Sequence, residues 1–104
     1  MLEIYDKAQW HIDAGENSEA VIHKFEAVFQ FLKAKGLLQR EGEEMLEIGI
    51  DSSISLHERM VTEKGREFLK TCYDKVIDQG ADTIADGLAR EYDAFEKNAG
   101  FSGK

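Results

Sequence analysis

Apolar side chains recur in steps of three and four along most of this chain. Val21, Ile22, Phe25, Val28, Phe29 and Leu32 keep that spacing, which gathers them on one stripe of an α-helix running from about Ser18 to Lys35. Gly36 follows as a natural C-terminal cap. Phe68, Leu69, Cys72, Tyr73 and Val76 form a second stripe, on a helix opened by Thr62 and closed by Gly80. The third stripe is the cleanest: Ala81, Ile84, Ala85, Leu88, Tyr92 and Phe95 line one face, while Asp82, Asp86, Arg90, Asp93 and Lys97 line the other. On that polar face Asp86 with Arg90 and Asp93 with Lys97 stand at the i,i+4 spacing that supports an exposed helix by about 0.3 kcal/mol a pair.

The middle of the chain carries two competing patterns. MLEIGI at 45–50 and ISL at 54–56 read as short strands, which gives a small β-hairpin near 45–57. Against this, REGEEMLEIG at 40–49 aligns with EKGREFLKTC at 63–72, matching Gly42 with Gly65, Glu44 with Glu67 and Leu46 with Leu69. The second copy heads a helix, so the first is read as a short helix too, with DSSIS at 51–55 as the turn after it. The expected fold is mainly α: a compact single-domain bundle of three long helices with short N-terminal and central helices, and the hairpin near 45–57 as the alternative. One domain covers residues 1–99, and the glycine-flanked end GFSGK, 100–104, is read as a frayed tail.

Length and composition narrow the class. At 104 residues the chain has room for one core and not two, and with 42% apolar residues it can fold rather than remain disordered. No apolar run approaches the roughly 18 to 20 residues that cross a bilayer, and MLEIYDKAQ lacks the basic and apolar segments of a signal peptide. Cys72 is the only cysteine, which excludes an intrachain disulfide and points to the reducing cytoplasm.

Charge changes the picture further. Thirteen basic residues against 21 acidic ones leave a net charge of −8, which repels phosphate backbones and anionic lipid, so neither nucleic acid nor a membrane is expected as a partner. The excess is uneven: Glu41, Glu43, Glu44, Glu47, Asp51 and Glu58 follow one another without a Lys or Arg until Arg59. Such a run is either plain solvated surface or a docking face for a basic protein.

Few residues suggest chemistry. Glu19, His23 and Glu26 stand at i, i+4 and i+7, a spacing that holds metals where helices converge, but on the helical wheel they lie opposite the Phe25 and Phe29 stripe. His57 has no cysteine or second histidine at ligand spacing, and Cys72 sits on an apolar stripe as a buried thiol. Neither GxGxxG nor GxxxxGK[ST] occurs, so no metal and no cofactor are expected. The segment YDKAQWHID at 5–13 remains. As an anchor, Asp6 caps a short helix starting at Lys7, Trp10 and Tyr5 cover the end of the core, and His11 bonds locally. As a site, His11 flanked by Asp6 and Asp13 has the make-up of an acid or base near neutral pH.

The run Tyr5, Asp6, Ala8, Trp10, His11, followed by a Phe-rich helix ending near GLL at 36–38, resembles small uncharacterised bacterial proteins that open with a YDxAxWH pattern. The likeness covers about the first forty residues, and small acidic proteins of this kind resemble immunity proteins that neutralise toxins. Separately, VTEKGREFLKTCYDKV at 61–76 looks like the last helix of winged-helix regulators, which begin with a similar TxKGxxFL phrase. The segment where a basic recognition helix would lie reads EGEEMLE. The functional expectation is therefore a non-enzymatic, acidic protein-binding module, in its most concrete form an immunity or antitoxin-like neutraliser of a basic partner. A dimeric winged-helix-like regulator is the second reading, and a small enzyme built on His11 the third. A homodimer is compatible with each.

Overall fold

The computed structural model describes residues 2–99, so the end read as a frayed tail, 100–104, lies outside the described residues. The chain runs as strand β1 (Ile4–Lys7), helices α1 (Ala8–Asp13), α2 (Ser18–Ala34) and α3 (Arg40–Ile48), strand β2 (Ser55–His57), and helices α4 (Glu63–Cys72) and α5 (Ile84–Ala99). Short 3₁₀ turns follow β2 at Glu58–Met60 and α4 at Tyr73–Lys75. The mainly helical single domain expected from the apolar periodicity is what forms.

Helix α2 is the axis of the core. Asn17 opens it by accepting the Ala20 amide at 3.1 Å, and the stripe Val21, Phe25, Val28, Phe29 and Leu32 is buried along its length. Gly36 ends it with φ 71°, a left-handed turn that costs a glycine little, and the Leu37 amide reaches back to the Leu32 carbonyl at 2.8 Å. Against this axis Phe31, Phe68, Tyr92 and Phe95 pack ring on ring, with centroids 5.1 to 6.3 Å apart, and join α2 to α4 and α5.

The reversal at Gly36 delivers Leu37 and Leu38 to a crossing point. Leu38 forms an antiparallel bridge with Val61, closed by Gln39 N–H to the Met60 carbonyl and Thr62 N–H to the Leu37 carbonyl, both at 2.8 Å. A helix leaves each arm of the bridge, α3 after Gln39 and α4 after Thr62, whose hydroxyl accepts the Gly65 amide at 3.1 Å. The third residue of each helix is the glycine matched in the alignment of 40–49 with 63–72. A Cβ on Gly42 would lie 2.7 Å from the Met60 carbonyl oxygen, and one on Gly65 would lie 3.1 Å from that of Leu37. The internal similarity thus marks two helices that start alike and press their first turns onto the opposite arm.

Four expectations are corrected. The hairpin alternative at 45–57 does not form: residues 45–48 complete α3, and β2 pairs instead with the N-terminal strand, in the antiparallel register Ile4 to His57, Asp6 to Leu56 and Lys7 to Ser55. Residues 4–7 are that strand, not the start of a helix, and Asp6 does not cap α1, whose N-cap Lys7 makes no side-chain capping bond. The helix expected to run from Thr62 to Gly80 is α-helical only to Cys72, so one of the three long helices is short. The last helix begins at Ile84, with Ala81 in a turn before it and Ala85 exposed. Among the described residues no helix is long and apolar enough to cross a membrane.

The two glycine contacts predict opposite balances. Gly→Ala inside a helix gains up to about 1 kcal/mol of propensity, which a 3.1 Å contact roughly cancels and a 2.7 Å contact with a backbone oxygen outweighs. Gly42→Ala is expected to lower the urea-unfolding free energy by about 2 kcal/mol, while Gly65→Ala changes it by less than about 1. Equal effects of the two substitutions would show that the first turn of α3 is not pressed onto the bridge.

Candidate functional site

Strand β1 sends Asp6 inward, where no part of it meets solvent. Its carboxylate accepts the Lys7 amide at 2.9 Å, the Tyr73 hydroxyl at 2.8 Å and Nε2 of His11 at 2.9 and 3.0 Å to the two oxygens. The other ring nitrogen, Nδ1, lies 3.0 Å from Oε2 of Glu16, on the loop after α1. Both nitrogens of His11 therefore face carboxylate oxygens, those of Asp6 and of Glu16. Lys24, buried on α2, turns its ammonium to the Ile77 carbonyl beyond Tyr73. Burial pulls the Lys24 amine below its ordinary range, against the raising pull of Asp6, Glu16 and Asp78. Burial, then the adjacent Asp6 charge and its hydrogen bond, hold the Tyr73 hydroxyl well above the ordinary tyrosine range.

These five side chains bind the N-terminal strand, α1, α2 and the turn after α4 into one polar knot. Chemically it is a closed network. His11 is 9% exposed and packs edge-on to Phe25, with ring centroids 6.0 Å apart. Among the described residues one surface groove lies against β1 and is lined by Glu3, Tyr5, Lys70, Tyr73 and Asp74, and another runs between α4 and α5. Neither is lined by Asp6 or His11.

The residues of YDKAQWHID separate accordingly. Asp6 and His11 meet in the knot, and Asp13 instead accepts the Gln9 amide at 2.8 Å on the outer side of α1. Trp10 is 51% exposed, which overturns its reading as the buried cover of the core: Ala8 and His11 are the inward residues of α1, and Trp10 points away from them. Tyr5 is half-buried, and its hydroxyl is pushed up to about 12 by burial and by the charges of Glu3 and Glu58. Sequence reasoning missed Glu16, Lys24 and Tyr73. Lys24 did carry a signal, since it stands three residues after Val21 and four before Val28, on the stripe itself.

The six acidic residues 41–58 are not one continuous face. Glu41 turns to Nε2 of His57 at 3.3 Å, and Oε1 of Glu58 accepts the Glu3 amide at 2.6 Å beside the strand pair. Asp51 closes its own turn by accepting the Ser53 hydroxyl and, at 2.9 Å, the Ser53 amide, and these hydrogen bonds, the hydroxyl's first, hold its carboxyl below the ordinary range. Glu43, Glu44 and Glu47 stand together on the solvent side of α3, opposite buried Gly42. Arg40 bridges to Glu44 at 3.3 Å; Glu43 and Glu47 make no ion pair among the described residues. Glu19 and His23 are exposed and Glu26 is half-buried on the outer side of α2. Comparison with protein-family models, curated proteins and solved structures found no match to this chain.

The tyrosines give a direct reading of the knot. Unfolded, Tyr5 and Tyr73 ionise near 10.0, whereas the folded protein holds both protons to higher pH, so their contribution to stability falls as pH climbs past that value. Lys24 acts with the opposite sign, its contribution growing as pH rises towards 10.5, so the tyrosine effect is cleanest above that. In an ultraviolet phenolate titration, Tyr5→Phe and Tyr73→Phe are expected to follow the native absorbance up to about pH 10.5. A native absorbance step near pH 10 that either substitution removes would place that hydroxyl in water.

Proposed function

We propose that this chain is a non-enzymatic, acidic protein-binding module that takes a basic protein partner on the outer face of α3. The observation that carries the reading is the grouping of Glu43, Glu44 and Glu47 there, with Ile48, 79% exposed, at the end of the same helix. Exposed carboxylates steer a cationic partner over about 8 to 10 Å at ordinary salt, and an exposed isoleucine beside them offers apolar area to bury on contact. The whole-chain charge of −8 adds to the same field. In its most concrete form the module neutralises a basic toxin as an immunity or antitoxin protein does, in the bacterial cytoplasm, where the single buried Cys72 stays reduced.

The regulator reading is favoured by one feature, the Leu38–Val61 bridge that leads directly into the TEKGREFL helix. Neither α2 nor α3 presents a basic stripe: α2 turns Glu19 and His23 outward, and α3 its three glutamates. The enzyme reading lacks access, because His11 is closed in by Asp6, Glu16 and Phe25.

The test is association kinetics with the protein that co-purifies with the native chain, at about 50 and 200 mM salt. Glu43→Gln, Glu44→Gln and Glu47→Gln together keep size and helix propensity, so stability is expected to hold while association slows about tenfold at low salt. Association at the native rate at both salts would remove α3 from the interface.

A further inference from the structure

The groove between α4 and α5 is separate from both the polar knot and the acidic face of α3. It is an open groove of about 350 Å³, at the lower end of the range of small-molecule sites, and its lining includes Glu67, Cys72, Lys75, Glu91, Ala94 and Phe95. Its floor is apolar and firmly held. Cys72 is buried, with its thiol directed at the Glu91 carbonyl at 3.9 Å, and Phe95 is packed against the rings of Phe68 and Tyr92. Burial and the Glu91 charge raise the Cys72 thiol, so the floor carries no thiolate at neutral pH.

The rim is charged and unevenly compensated. Lys75 lies 3.5 Å from Glu91, while Glu67, exposed on α4, makes no ion pair among the described residues. One carboxylate therefore remains in excess beside an apolar floor, within a chain that is already strongly negative. Thr71 and Asn98 add a hydroxyl and an amide at the rim. Lys75 is already engaged by Glu91, so an anion entering this groove meets no free counter-charge, and a neutral apolar molecule leaves Glu67 unused; a cation with an apolar body fits both halves.

We propose that the α4–α5 groove binds a small amphipathic organic cation, with its ammonium group at Glu67 and its apolar body on Cys72, Ala94 and Phe95. The ligand class is a primary or substituted amine on an aromatic or short aliphatic body.

The probe is phenethylamine, with phenylacetate as its charge-reversed counterpart, titrated into the full chain and followed by amide chemical shifts. A ligand this small has about nine heavy atoms, for which a Kd near 1 mM is expected. Shifts are expected at residues 67–75 and 91–98, weakened about fivefold in Glu67→Gln, and absent with phenylacetate. Ala94 is exposed on its helix, so Ala94→Leu is expected to fold normally, fill the groove and abolish binding. No saturable shifts up to about 10 mM phenethylamine, equal binding of phenylacetate, or indifference to both substitutions would overturn the proposal.

Discussion

A single carboxylate, that of Asp6, holds the N-terminal segment to the helical core. A buried charge is tolerated only when hydrogen-bonded and opposed by cations, and Asp6 has three donors within 3.0 Å together with the charge of the nearby Lys24. The donors come from β1 itself, from α1 and from the turn after α4. Strand pairing alone holds little, because β2 has only three residues and a short two-stranded ribbon is marginal in water. The knot explains why β1 lies where it does: moving the strand by one residue would turn Asp6 to solvent and leave His11 and Tyr73 buried without their acceptor.

Much of the helical frame could be read from spacing. The Val21 to Leu32 stripe of α2 and its stop at Gly36 appear where the periodicity put them, because burial along a long helix repeats the same signal several times over. The match of 40–49 with 63–72 also carried real information, since a glycine at the third position of each helix answers a close approach of backbone at the Leu38–Val61 bridge. What failed was local. Strand β1 is four residues long and its partner lies about fifty residues away, so neither pattern length nor neighbouring turns announced it. Helix α4 ends at Cys72, and the next residue, Tyr73, gives its hydroxyl to Asp6, a partner 67 positions distant.

The candidate sites were misread for a related reason. Trp10 has the most area to bury, yet a six-residue helix has only one inward face, and Ala8 and His11 take it. The acidic residues of 41–58 are neighbours in sequence but not one face in space. Asp51 closes its own turn, Glu41 turns to His57 and Glu58 to the Glu3 amide, which leaves Glu43, Glu44 and Glu47 as the cluster on the outside of α3.

The central claim is that polar burial at Asp6, and not apolar burial at Trp10, anchors YDKAQWHID. Denaturant unfolding of Asp6→Asn and Trp10→Ala tests it directly. Removing the Asp6 charge leaves Lys24 and His11 buried without it, and the account predicts a loss of about 3 kcal/mol, against less than about 1.5 kcal/mol for the half-exposed Trp10. A larger loss from Trp10→Ala than from Asp6→Asn would contradict it.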